Sequence, residues 1–226
     1  MTTLIFDCDG VLVDSEVIAE ATLADRLAEW LPDLDVEAAL NEALGRTTAA
    51  ILELLDGQSA HALPKEALAL LDDEIEARLA RELTAIDGVA QALAAIPGTK
   101  AVVSNSRRQR VVASLSRTGL DQVLGTAPIF CAEQVDKPKP DPGVYLLAAE
   151  TLGVSPGACL VVEDSIAGAS AALAAGMTVI GFVGASHLPT DHAERLSQLG
   201  VWQVMTHMAQ LPALVSNWQQ RQQASV

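Results

Sequence analysis

The fold class predicted for this 226-residue chain is α/β, a doubly wound parallel sheet with a Rossmann-like core that carries an inserted, all-helical domain. Two observations predict it. Short apolar runs alternate with helical patterns along most of the chain, which is the signature of βαβ units. The stretch between the first and second such runs is far longer than a single crossover helix needs, so something is inserted there.

The expected strands are Thr3 to Asp7, Lys100 to Ser104, Pro128 to Cys131, Cys159 to Glu163 and Thr178 to Phe182. Each runs into a polar or glycine-containing turn and then a helical pattern. In a doubly wound sheet the ligand sits beyond the carboxyl ends of the strands, so these turns are where chemistry is expected. The insertion reads as helical almost throughout. Its clearest segment starts at Pro64, a favoured first helical residue, and carries Leu68, Leu71, Ile75, Leu79 and Leu83 at spacings of three and four. Leu31-Pro32-Asp33 and Asp56-Gly57-Gln58-Ser59 punctuate it. The expected division is a catalytic core of residues 1–14 and 87–226 and a helical cap of residues 15–86, with hinges near Asp14-Ser15 and Ile86-Asp87-Gly88. The polar tail from Gln219 to Ser225 is expected to fray.

Half of the residues are hydrophobic and only 3% are aromatic, which implies a core of Ala, Leu and Val between closely spaced elements. Charge or proline breaks every apolar run before the roughly 18 residues of a membrane span. Met1-Thr2-Thr3 leads straight into a strand without a basic segment or cleavage pattern, so a cytoplasmic protein is expected. Cys8, Cys131 and Cys159 are widely spaced and lack a CxxC pair, which reads as small buried hydrophobes rather than disulfides or a zinc site. Fourteen Lys and Arg against 29 Asp and Glu leave a net charge of -15, which disfavours nucleic acid and anionic membranes as partners. A small phosphorylated metabolite as ligand then requires a local cluster of cations. A monomer is expected.

The first strand ends Ile5-Phe6-Asp7-Cys8-Asp9-Gly10. If the extended conformation persists, its period of two places both carboxylates on one face. Asp7 would then attack phosphorus as a carboxylate, and Asp9 would protonate the leaving oxygen and activate the hydrolytic water. Alone, the motif reads equally as an acidic turn cap. The second strand ends Val103-Ser104-Asn105-Ser106, where the Ser104 hydroxyl and a backbone N–H near Asn105 suit a phosphoryl oxygen. In Asp136-Lys137-Pro138-Lys139-Pro140-Asp141, Lys137 is the expected cation for Asp7 and phosphate, although a lone loop lysine is more often solvated. The fourth strand ends Glu163-Asp164-Ser165, carboxylates of the hard type that suits Mg²⁺; helix capping by Asp164 or Ser165 explains the same residues.

The series DCDGVLVDS, VVSNS, KPKPD and VVEDSIAG, one motif at each of four strand ends, resembles the haloacid dehalogenase superfamily. Within it, the resemblance is to the sugar-phosphate phosphatase branch with a helical cap, which includes 6-phosphogluconate phosphatases and β-phosphoglucomutase-like proteins. It implies a Mg²⁺-dependent phosphoric monoester hydrolase acting through an aspartyl-phosphate on a small sugar phosphate or a 6-phosphogluconate-like acid. It implies Asp7 as nucleophile, Asp9 as acid and base, Ser104 and Lys137 on the phosphate, and a metal held by Asp7, Asp164 and the Asp9 carbonyl, with Glu163 assisting.

For the rest of the substrate, Arg107, Arg108 and Arg110 follow Ser106 in an expected first helical turn, and Arg107 is the candidate for a second anionic group. A solvated basic turn is the other reading. In the cap, Gly45-Arg46-Thr47-Thr48 resembles a family specificity loop with Arg46 facing substrate; a helix C-cap followed by a surface arginine accounts for it too. His61, His187, His192 and His207 read as surface residues. A β-phosphoglucomutase-type mutase usually has a histidine and an aromatic residue where this chain has Ala19-Glu20. Dehalogenases lack an acid at the Asp9 position. A phosphonate hydrolase would need a Schiff-base lysine, for which Lys65 is the one cap candidate. A catalytically silent regulatory or metal-binding module predicts damage to a catalytic position, and the motifs show none.

Overall fold

The computed structural model describes residues 2–43, 46–185 and 188–224. Gly45, His187 and Ser225, to which expectations above attach, lie outside the described residues. The chain divides into two compact units, Met1–Asp14 with Leu83–Val226, and Ser15–Glu82.

The larger unit is built on a parallel six-stranded sheet: β1 (Thr3–Phe6), β2 (Thr99–Ser104), β3 (Ile129–Cys131), β4 (Cys159–Glu163), β5 (Thr178–Phe182) and β6 (Gln203–Met205), in the order β3-β2-β1-β4-β5-β6. Both faces of a parallel sheet are covered by helices, so its central strands are apolar without alternation. β1 and β4 are buried at every position. The expected strands match within two residues. β6 was not expected: it has three residues, only Met205 fully buried, and no apolar run announces it.

β1 pairs with β2 on one side and β4 on the other. The order along the sheet therefore reverses at β1, the switch point at whose carboxyl end such sheets place their ligands. Asp7 and Asp9 follow directly.

The core packs alanine against the sheet. Ala169, Ala171 and Ala172 join Val161, Val179 and Tyr145 in one buried cluster, so low aromatic content is offset by close approach of helix to strand. The polar tail is helical as far as the described residues go, contrary to the fraying expected: a helix runs from Leu211 to Ala224, and Gln219 Nε2 donates to Thr2 Oγ1 at 2.8 Å.

The smaller unit holds α1 (Glu16–Trp30), α2 (Val36–Glu42), α3 (Thr48–Asp56) and α4 (Ala67–Glu82). Leu27, Leu31, Leu52, Leu55 and Ala67 form its core. Asp35 and Thr47 cap α2 and α3 through their side chains. α4 starts three residues after Pro64, and its buried stripe is Ala67, Leu71 and Leu79. Leu68 is 41% exposed, one position off that stripe. The chain returns to the larger unit at Leu83 rather than at Asp87. The reason is pairing between the two connecting segments: Asp14 N–H donates to Thr84 O at 3.1 Å and Ile86 N–H to Leu12 O at 3.0 Å.

Candidate active site

After Phe6, one further ladder bond persists, from Asp7 N–H to Val162 O at 3.0 Å. The chain then bends at Cys8, and the extended run does not continue to Asp9. Gly10, at φ +77°, closes the turn by donating its N–H to Val13 O. A Cβ at Gly10 would fall on the Asp164 carboxylate, so glycine serves both the left-handed backbone and the approach of that side chain. The two acids are thus gathered by different partners.

Asp7 is buried. Its Oδ1 accepts from Lys139 Nζ at 2.6 Å, and the same ammonium donates to Glu163 Oε1 at 2.7 Å and Val103 O at 3.0 Å. This corrects the expectation for Lys137, which is exposed. Two overlapping Lys-Pro-x-Pro patterns, 137–140 and 139–142, stand in the sequence, and the second is the one that faces the site. The Asn105 amide fixes it: Oδ1 accepts from Lys139 N–H at 2.9 Å and Nδ2 donates to Lys139 O at 3.2 Å. Asn105, expected on substrate, is therefore engaged in presenting the lysine.

Glu163 is fully buried, and each of its oxygens accepts two hydrogen bonds. Oε1 receives Lys139 Nζ and Tyr145 OH at 2.9 Å; Oε2 receives Ser165 N–H at 3.1 Å and Ser165 Oγ at 3.0 Å. A Cβ at Gly168 would occupy the Glu163 carboxylate. The Tyr145 ring lies 5.0 Å from Lys139 Nζ, within cation–π range. Ser165 caps the following helix, α9 (Ile166–Ala174; α5 is Val89–Ala95, α6 Arg108–Thr118, α7 Leu120–Leu124 and α8 Gly143–Leu152), by accepting from Gly168 N–H. Capping and carboxylate anchoring thus coexist at this strand end.

Asp9 points to the β2–α6 turn. Its Oδ2 accepts from Ser106 Oγ at 2.8 Å and, more weakly, from Ser104 Oγ at 3.4 Å; its Oδ1 lies 3.6 Å from Arg110 Nη2. Ser104 Oγ also receives Ser106 N–H at 3.0 Å. Arg107 is the exposed N-cap residue of α6, and Arg108 donates to Ile129 O at 2.8 Å. It is Arg110 that reaches Asp9. Arg46 belongs to the smaller unit, where it is exposed just ahead of α3. Among the histidines, His192 departs from the surface expectation: it is 6% exposed, and its Nε2 lies 2.5 Å from Asp164 O.

Asp7, Glu163 and Asp164 each present a carboxylate oxygen within 4.8 Å of the others. Three carboxylates face one ammonium. Burial first, with Glu163 and Asp9 adding to it, pushes Asp7 up to about 8, and Lys139 offsets only part of that rise. Negative charge outweighs positive in the cluster, and its donors are hard oxygens. A small divalent cation such as Mg²⁺ fits both properties. Glu163 has its acceptors taken up by protein donors, which leaves Asp7 and Asp164 as the side chains suited to direct coordination.

A family model described as haloacid dehalogenase-like hydrolase matches residues 1–176. The 6-phosphogluconate phosphatase of Escherichia coli (strain K12) is 31% identical over 211 residues, 92% of either chain. Among solved structures, a haloacid dehalogenase-like protein of unknown function from Agrobacterium tumefaciens str. C58 matches with a TM-score of 0.84 and 37% identity, over 96% of this chain and 98% of that one. A HAD family hydrolase from Deinococcus radiodurans R1 with bound phosphate and sodium matches with a TM-score of 0.81 and 34% identity, over 96% of each chain.

Proposed function

The chain belongs to the haloacid dehalogenase-like hydrolase family, and on that premise we propose that it is a Mg²⁺-dependent phosphatase of a small sugar phosphate or phosphorylated sugar acid. The observation that carries this reading is the buried Lys139 ammonium 2.6 Å from Asp7 Oδ1, with the Asp164 carboxylate in the same cluster and Asp9 two residues along the chain. A carboxylate held against a cation at the switch point of a parallel sheet is suited to meet a phosphate dianion. The phosphate bound by the Deinococcus radiodurans relative is in keeping with it.

The Asp7 carboxylate attacks phosphorus, the bond from phosphorus to the ester oxygen breaks, and Asp9 gives its proton to the departing alkoxide. Asp9, now ionised, takes a proton from the water that attacks the aspartyl-phosphate. Phosphate leaves and both acids return to their starting states. Lys139 offsets the repulsion between carboxylate and phosphate, while the Ser104 hydroxyl and a backbone N–H near Asn105 are suited to a phosphoryl oxygen. Asp7 and Asp164, with the Asp9 carbonyl that the family resemblance implies, would hold Mg²⁺, which when bound would supply further positive charge to the phosphoryl oxygens. Glu163 keeps Lys139 in place.

The substrate assignment leans on the 6-phosphogluconate phosphatase relative. The test is phosphate release from an aryl phosphate and from 6-phosphogluconate, with Mg²⁺ and with a chelator, for wild type and Asp7→Asn. Metal-dependent release that Asp7→Asn abolishes is expected. Absence of release from any phosphate ester rejects the phosphatase, and isomerisation of a sugar phosphate without net release replaces it by a mutase.

A further inference from the structure

We infer that Arg110 is a specificity-determining residue that binds a second anionic group on the substrate, a carboxylate or phosphate carried by the leaving group. The inference rests on the phosphatase reading above and adds the chemistry of the part of the substrate that departs.

The position of Arg110 follows from its helix. α6 buries Val111, Ser114 and Leu115, and Arg110 stands one turn before Ser114, at the margin of that inward face. Its side chain is 25% exposed, enclosed yet reachable, with Nη2 3.6 Å from Asp9 Oδ1. That separation is an ion pair longer than a hydrogen bond. The firm hold on Asp9 comes from the other oxygen, through Ser106 Oγ at 2.8 Å.

The side of the site follows from the chemistry. Asp7 attacks opposite the leaving oxygen, and Asp9 must reach that oxygen to protonate it. A cation beside Asp9 therefore lies on the side of the organic part of the substrate rather than that of the transferred phosphoryl group. Lys139 cannot serve there: its side chain is 3% exposed and its ammonium is shared among Asp7, Glu163 and Val103 O. Arg108 is engaged by the Ile129 carbonyl. In a chain with a net charge of -15, a guanidinium at this point changes the local field from repelling to attracting a second anion. Its planar fork matches a carboxylate or phosphate in two parallel hydrogen bonds.

A neutral polyol phosphate gains nothing from this contact. Discrimination is thus predicted between 6-phosphogluconate and glucitol 6-phosphate, which differ only at the carbon farthest from the ester, with fructose 1,6-bisphosphate as the second-phosphate arm.

The experiment measures kcat/KM for these three esters in wild type, Arg110→Gln and Arg110→Lys. Wild type is expected to favour at least one of the two dianionic-tailed or carboxylate-tailed esters over the polyol. Arg110→Gln lowers that preference by about tenfold or more, chiefly through KM, and Arg110→Lys restores part of it. Arg110 also touches Asp9, so a loss common to all three esters is expected on top. That loss alone, with the preference ratio unchanged within about twofold, overturns the inference and leaves Arg110 as a counter-ion to Asp9. Equal wild-type rates for all three esters overturn it as well, while the phosphatase reading stands. No release from any of them rejects that reading instead. If Arg110→Gln does not fold, the ratio in Arg110→Lys decides, because the ammonium keeps charge and loses the fork.

Discussion

Lys139 joins Asp7 to Glu163: its ammonium lies 2.6 Å from one carboxylate and 2.7 Å from the other, with both carboxylates buried. Removing it as Lys139→Met leaves buried negative charge without its counter-ion. Loss of one partner of a buried pair costs about 3–5 kcal/mol. A fall in kcat of roughly a thousandfold is expected, together with a lower urea midpoint. Lys137→Ala, at an exposed position two residues earlier, should keep kcat/KM within about twofold. Equal damage from both variants would contradict the assignment.

Tyr145 shares the Glu163 Oε1 acceptor with Lys139. Tyr145→Phe keeps the ring 5.0 Å from the ammonium and deletes only the hydroxyl. The lost donor to a buried charged acceptor is expected to lower unfolding free energy by about 1–3 kcal/mol, read from urea titration. kcat should drop several-fold while KM changes less, since the hydroxyl acts on Glu163, and through that shared acceptor on Lys139, and not on substrate. An unchanged denaturation curve would show that the hydrogen bond is of no consequence.

How much of this was legible beforehand depends on what kind of signal each part leaves. Strand ends are announced by a short apolar run meeting acids or serines, so Asp7, Ser104 and Asp164 could be placed by counting along the chain. Lys139 could not, because both lysines precede proline and the loop lacks periodicity; only the fold says which one enters the crevice. Tyr145 and His192 leave no mark at all, since a buried hydroxyl or imidazole in a helix looks like any amphipathic position. Arg107 and Arg110 were set in one helical turn, but α6 begins at Arg108. That start leaves Arg107 outside as the cap and brings Arg110 to the inner margin. The three-residue β6 lacked the length that makes an apolar run stand out.

Gly168 tests the tight seat of Glu163. A Cβ there meets all three terminal atoms of that carboxylate, which is anchored by four hydrogen bonds and cannot swing away without losing them. Gly168→Ala is expected to destabilise by about 2–4 kcal/mol and to depress activity with it. Gly157, where an added Cβ meets no atom within 4 Å, is the control; Gly157→Ala should stay within about 0.5 kcal/mol of wild type. Parallel thermal scans and phosphate-release assays read both.

The charge imbalance around Asp7 predicts a pH dependence of stability in protein stripped of metal. Its carboxyl is pushed from an ordinary value of 3.8 up to about 8, first by burial. Between those values the native state keeps a proton that the unfolded state has released. Unfolding then releases a proton, so stability falls as pH rises through this window. Lys139 shifts upward from 10.5, so its contribution is fully present across the same window and does not mask the slope. In a chelator, Tm should be lower at about pH 8 than at about pH 5.5, and Asp7→Asn should flatten the difference. Mg²⁺ should raise Tm most at the higher pH, because there it meets a carboxylate already ionised or readily made so. A wild-type slope identical to that of Asp7→Asn would mean that Asp7 is not the group held protonated.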